Sequence, residues 1–89
     1  MRYQRDPHFF SKLIGSEWVL LKRNSPYCYK LNETAGFLWE RLDRPKGSKD
    51  LAKLIFKNYN VEEPVAEKDV EDFLKQGIKH GFLSSSRSG

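Results

Sequence analysis

Apolar and polar positions follow two different rhythms along this chain, and the change falls at Asn32. Ahead of it, short apolar or alternating runs lie between Gly, Pro, Asn and Ser, the pattern of strands joined by tight turns. Phe9–Ile14 predicts a first strand, ended by Gly15-Ser16, and residues 18–23 predict a second. Asn24-Ser25-Pro26 is a turn signal. Residues 27–31 predict a third strand, with Tyr27, Tyr29 and Leu31 on one face and Cys28 and Lys30 on the other. Residues 1–6 are polar and charged, and the pattern predicts that they fray.

After Asn32 the apolar residues recur every three or four positions. Asn32 suits an N-cap, because its side-chain oxygen can accept from a backbone N–H of the first turn. Glu33 follows, where the helix dipole favours negative charge. A first helix over 33–42 aligns Ala35, Leu38, Trp39 and Leu42, and Arg44-Pro45-Lys46-Gly47 stops it. Ser48 is expected to cap a second helix that turns Leu51, Leu54, Ile55 and Tyr59 inward. Pro64 suits the first turn of a third. That helix places Ala66, Val70, Phe73, Leu74, Gly77 and Ile78 along one stripe. A glycine inside a helix costs about 1 kcal/mol relative to alanine. Gly77 therefore points to a close approach, by another backbone or by the first helix. Gly81 suits a left-handed C′ position, after which Phe82 and Leu83 fold back onto the core. Residues 84–89 read as a disordered polar tail.

These elements predict an α+β fold in a single domain over residues 1–83. A three-stranded antiparallel sheet is followed by three helices, the last two forming a helix-turn-helix pair.

Composition narrows the chemistry. The 89 residues include 16 basic and 12 acidic ones, a net charge of +4 that permits anionic partners without requiring nucleic acid. Cys28 is the only cysteine, which excludes an intramolecular disulfide and a Cys-rich zinc site and fits a reducing, cytoplasmic compartment. No apolar run approaches the ~20 residues of a membrane span. His8 and His80 lack a third ligand at metal spacing, so no metal is expected. No phosphate loop, Cys-x-x-Cys pair or nucleophile elbow is present, and Glu62-Glu63 reads as a solvated connector. Lys46, Lys49, Lys53 and Lys57 read as a solvated helix face.

In order and spacing, Tyr29-Lys30-Leu31-Asn32-Glu33-Thr34-Ala35, Leu38-Trp39, Leu51-Ala52, Tyr59-Asn60-Val61, Asp69-Val70, Phe73-Leu74 and Gly81-Phe82-Leu83 form one pattern. It resembles the PqqD-like family, the recognition elements for precursors of ribosomally synthesised and modified peptides (RiPPs). The resemblance spans residues 18–83. It implies a winged helix-turn-helix domain without catalytic activity or cofactor, which binds a precursor leader peptide. The leader is then presented to a leader peptidase, a cyclase or a radical enzyme. It implies strand addition along Tyr27, Cys28, Tyr29, Lys30 and Leu31, beside a groove walled by the third helix. The flank carrying Asp69, Phe73 and Gln76 is the expected wall, with Glu67, Glu71, Lys75 and Ile78 on the opposite flank. Members serving pyrroloquinoline quinone synthesis usually carry Pro-Glu before the third strand. Asn24-Ser25-Pro26-Tyr27 stands there instead, so the resemblance is to standalone members of lasso-peptide clusters. The alternative function for a winged helix, DNA binding, is opposed by Glu67, Asp69, Glu71 and Asp72, since phosphate contacts call for Lys and Arg.

Overall fold

The computed structural model describes residues 1–86. Its elements are β1 (Arg2–Arg5), β2 (Phe9–Ile14), β3 (Glu17–Lys22), β4 (Cys28–Lys30), α1 (Glu33–Arg41), α2 (Ser48–Asn58), α3 (Glu63–His80) and β5 (Leu83–Ser86). The winged-helix layout is as expected: an antiparallel sheet in the order β2-β3-β4, then three helices. Gly15, at φ 65°, supplies the positive φ that the two-residue β2–β3 turn needs at its first central position. Asn24 turns the chain toward β4 at φ 56°, a conformation asparagine tolerates. One sheet face carries Phe9, Leu20, Tyr29 and Leu31 into the core.

The chain ends depart from expectation. Residues 1–6 do not fray, and Ser84, Ser85 and Ser86 are not tail. β1 and β5 pair antiparallel from Arg2↔Ser86 to Arg5↔Leu83, forming a second, two-stranded sheet. Residues 87–89 of the expected tail lie outside the described residues. Polar contacts rather than an apolar pattern anchor β1. Arg5 donates from Nε and Nη2 to the Trp39 carbonyl at 2.9 and 2.6 Å, and its guanidinium lies 5.0 Å from the Trp39 ring centre. The last carbonyls of a helix are short of intrahelical partners: that of Trp39 also accepts the Leu42 N–H at 3.1 Å, and Arg5 reaches on to the Glu40 carbonyl at 3.1 Å, so Arg5 ties down the end of α1. Tyr3 and Lys46 also exchange backbone bonds of 2.8 and 3.0 Å.

The helix starts follow local chemistry. The Asn32 Oδ1 accepts from the Ala35 N–H at 2.8 Å. Gly47, not Ser48, is the N-cap of α2, and no side chain caps it. Pro64 lies in the first turn of α3, and Gly81 ends that helix at φ 84°. Ala66, Val70, Phe73, Leu74 and Gly77 are buried on α3 as expected. Ile78 is not; it is 46% exposed. At 100° per residue it lies roughly 95° from the centre of the buried stripe. Trp18 packs edge-on against Gly36, where an added Cβ would meet its Cδ1 at 2.7 Å, and donates from Nε1 to Glu40 Oε1 at 2.7 Å.

Phe82 sits at the centre, fully buried, with its ring against Phe9, Tyr29, Trp39 and Phe73. The close approach at Gly77 is made by the Leu83 side chain, neither a backbone nor the first helix. An added Cβ there would collide with Leu83, and overpacking costs typically 1–3 kcal/mol. That exceeds the ~1 kcal/mol of helix propensity that alanine recovers. Gly77→Ala is therefore expected to lower the melting temperature by several degrees, about 4–8 °C per kcal/mol for a domain of this size, in a thermal unfolding scan.

Candidate functional site

The backbone of β4 sets the geometry of the site. Lys22 donates to the Tyr27 carbonyl at 3.4 Å, and Leu31 donates to the Trp18 carbonyl at 2.9 Å. Leu20↔Tyr29 lies midway in the same register. In an antiparallel ladder, hydrogen-bonded and non-bonded pairs alternate. The Tyr27 carbonyl, both backbone groups of Tyr29 and the Leu31 N–H therefore face β3, while the Tyr27 N–H donates to Ser25 Oγ at 3.2 Å in the turn. Cys28 and Lys30 turn theirs outward, and β4 is an edge of its sheet. Only these two residues of the strand offer N–H and C=O to an incoming chain, not every residue as the lack of a proline in residues 27–31 suggests. An edge of this kind can template another strand.

A cleft of about 280 Å³ runs beside this edge. One wall is Tyr29, Lys30, Leu31 and Asn32, and the start of α1 contributes Thr34 and Ala35. Asp69, Asp72, Phe73 and Gln76 of α3 form the other wall, with Phe82 beneath. Tyr29, Lys30, Leu31, Asp69, Phe73 and Gln76 are thus brought together on the expected flank of α3. Cys28 stands on the edge outside the cleft lining, its thiol free and exposed. Tyr27 lies outside it too, stacked on Tyr29 with ring centres 6.4 Å apart and planes at 5°. His80 adds a third ring, 5.2 Å from Tyr29, and bonds to Gln76 Oε1 at 3.1 Å. The Tyr27 hydroxyl has no hydrogen-bond partner among the described residues. Burial, and then the neighbouring Tyr29, push its pKa above the ordinary value.

The residues missed from sequence are Asn32, Thr34, Ala35, Asp72 and Phe82. Asn32 and Phe82 were readable as a cap and a core residue, but their second face needed the cleft. Asp72 follows from its place three residues after Asp69 on one helix flank.

Residues 17–83 match the family described as Coenzyme PQQ synthesis protein D (PqqD). The chain belongs to the PqqD family. No curated protein matches it. Among solved structures, "TbiB1 in Complex with the TbiA(beta) Leader Peptide" aligns with a TM-score of 0.82 at 24% identity, over 96% of this chain and 99% of that one. "Lasso peptide synthetase B1 complexed with the leader peptide" aligns with a TM-score of 0.80 at 25% identity, over 93% and 98%.

Among the described residues of this PqqD-family chain, no group of three or more His, Cys, Asp or Glu could hold a metal, and no helix is long and apolar enough to cross a membrane. The phase of β4 makes a test of the edge. Tyr29→Pro removes the donor to the Leu20 carbonyl and leaves a buried acceptor unpaired, a loss of about 1–3 kcal/mol. Cys28→Pro removes only an outward N–H, where an edge strand tolerates proline. Urea unfolding is expected to show a clearly lower midpoint for Tyr29→Pro and a near-native one for Cys28→Pro.

Proposed function

We propose that this domain binds the leader of a ribosomally synthesised precursor peptide by strand addition to β4. It is a non-catalytic module, and it delivers the bound precursor to a processing or modifying enzyme such as a leader peptidase. The observation that carries this reading is the outward-facing backbone of Cys28 and Lys30 beside the cleft between β4 and α3. An added strand bonds to those groups, and every second side chain of it meets the cleft. Tyr29, Leu31, Phe73 and Phe82 offer the apolar contacts, and Asp69 and Gln76 offer polar ones. Membership of the PqqD family supports the reading, as do two solved structures of the same fold that each hold a leader peptide. Holding the leader raises the local concentration of precursor at the enzyme, as a tether does.

Residues 1–83 act in this as one unit together with Ser84, Ser85 and Ser86, which complete β5. The single free cysteine suits work in the cytoplasm. DNA binding draws no support from α3. Its exposed positions include Glu67, Glu71 and Asp72, and its Lys68 and Lys75 are paired with Asp72 and Glu71 at 3.5 and 2.8 Å.

Calorimetric titration with the leader of the cognate precursor peptide tests the proposal. Saturable binding is expected, with amide shifts along β4 and the Asp69 flank of α3. Cys28→Pro removes one backbone bond and should weaken binding about 3- to 10-fold, whereas Cys28→Ser, which keeps the N–H, should not. No binding at high micromolar leader, or equal affinity for a folded Cys28→Pro, rejects strand addition at this edge.

A further inference from the structure

The larger concave surface lies on the other flank of α3. A groove of about 1050 Å³ runs between α2 and α3, and it shares no lining residue with the cleft beside β4. Ala52, Val70 and Leu74 contribute apolar surface to it. Phe56 and Ile78 stand in its walls 52% and 46% exposed; the other large exposed apolar side chain of these two helices, Val65, lies outside the groove. Ile78, displaced from the core stripe, thus has a place in a second surface.

The charges around this groove are sorted. The α2 side carries Lys49 and Lys53, and the first half of α3 carries Glu63, Glu67 and Glu71. Among the described residues no ion pair joins the two rims. The α3 pairs are internal, Lys68–Asp72 and Lys75–Glu71, each four residues apart. Lys79 lies farther along α3, toward its C-terminal end. A basic α2 wall and an acidic first half of the α3 wall match an occupant that carries both signs, one on each edge.

The occupant's backbone follows from the walls. Tyr3 of β1 also lines the groove, but its backbone N–H and C=O are both bonded to Lys46; the remaining walls are helices, whose N–H and C=O groups are consumed internally except at the ends. An extended segment laid there would leave its own backbone groups unpaired against apolar surface, at a cost. A helix satisfies its backbone by itself and packs into a groove between two others.

We propose that the α2–α3 groove seats an amphipathic helix of a partner protein. Its apolar stripe lies on Phe56 and Ile78, its acidic edge lies along Lys49 and Lys53, and its basic edge lies along Glu63 and Glu67. The seat is independent of what β4 binds, since the two surfaces occupy opposite flanks of α3.

Three synthetic helical peptides with one shared leucine stripe test this. One has a glutamate edge and a lysine edge, one has glutamate on both edges, and one has lysine on both. Amide shifts of the full chain report where each binds. The mixed peptide is expected to bind about tenfold more tightly than either control, the sum of several weak surface pairs. Its shifts should fall on Ala52, Phe56, Leu74 and Ile78, not on Cys28 or Lys30. With Lys49→Glu and Lys53→Glu together both rims are acidic, and the all-lysine peptide should become the tightest. Phe56→Asp, at an exposed position, should abolish binding of all three while leaving affinity for the precursor leader unchanged. The proposal is overturned if none binds up to about 1 mM, where even a weak contact of ~4 kcal/mol registers. Equal affinities, or shifts centred on β4, also overturn it. So does self-association on a sizing column that Phe56→Asp removes, because the groove is then filled by a second copy.

Discussion

The buried ring of Phe82 holds the layers of this fold in register. Its centre lies 5.3 Å from that of Tyr29 on β4, 6.1 Å from Phe73 on α3, 6.1 Å from Trp39 on α1 and 6.3 Å from Phe9 on β2. One side chain therefore sets the spacing between the edge strand and the last helix, and it also lines the cleft between them. Its own position is fixed by the residues on either side. Gly81 reverses the chain at φ 84°, and Leu83 drops into the space that Gly77 leaves. The chain leaves that contact already aligned as β5, which pairs with β1, and Arg5 of β1 completes the end of α1. Two glycines and three bonded layers thus depend on each other in sequence.

The strands and helices were largely legible, because each carries its own local signal. Asn32 caps α1 through a side-chain bond that any helix start of this type makes, and Gly81 takes the left-handed φ its place after His80 implies. Period-two alternation in residues 27–31 sorted Tyr29 and Leu31 from Cys28 and Lys30 correctly. The sequence pattern also gathered Asp69, Phe73 and Gln76 on the flank that the cleft uses.

What stayed hidden was non-local. β1 has no apolar rhythm of its own; its partners, Leu83–Ser86, lie at the far end of the chain, and its anchors are carbonyls of α1. Side-chain alternation also says nothing about which backbone groups of a strand are already taken, a question answered only by the register with β3. Ile78 looked like a core residue because a helical stripe is broad. Its angle to the packed neighbours decides its exposure, and only packing fixes that angle. The lysines of α2 are the solvated face the sequence predicts, and their place on the groove wall needed the packing of α2 against α3.

The pairing of Arg2 with Ser86 brings the two ends of the described chain side by side, on β1 and β5. A polypeptide thus enters and leaves the domain through one narrow gate, and neither β1 nor β5 belongs to the sheet whose edge borders the cleft. Geometry of that kind suits a cassette: the unit can be spliced into a surface loop of another protein, or have its ends joined and be reopened elsewhere, with little distortion of either host or insert.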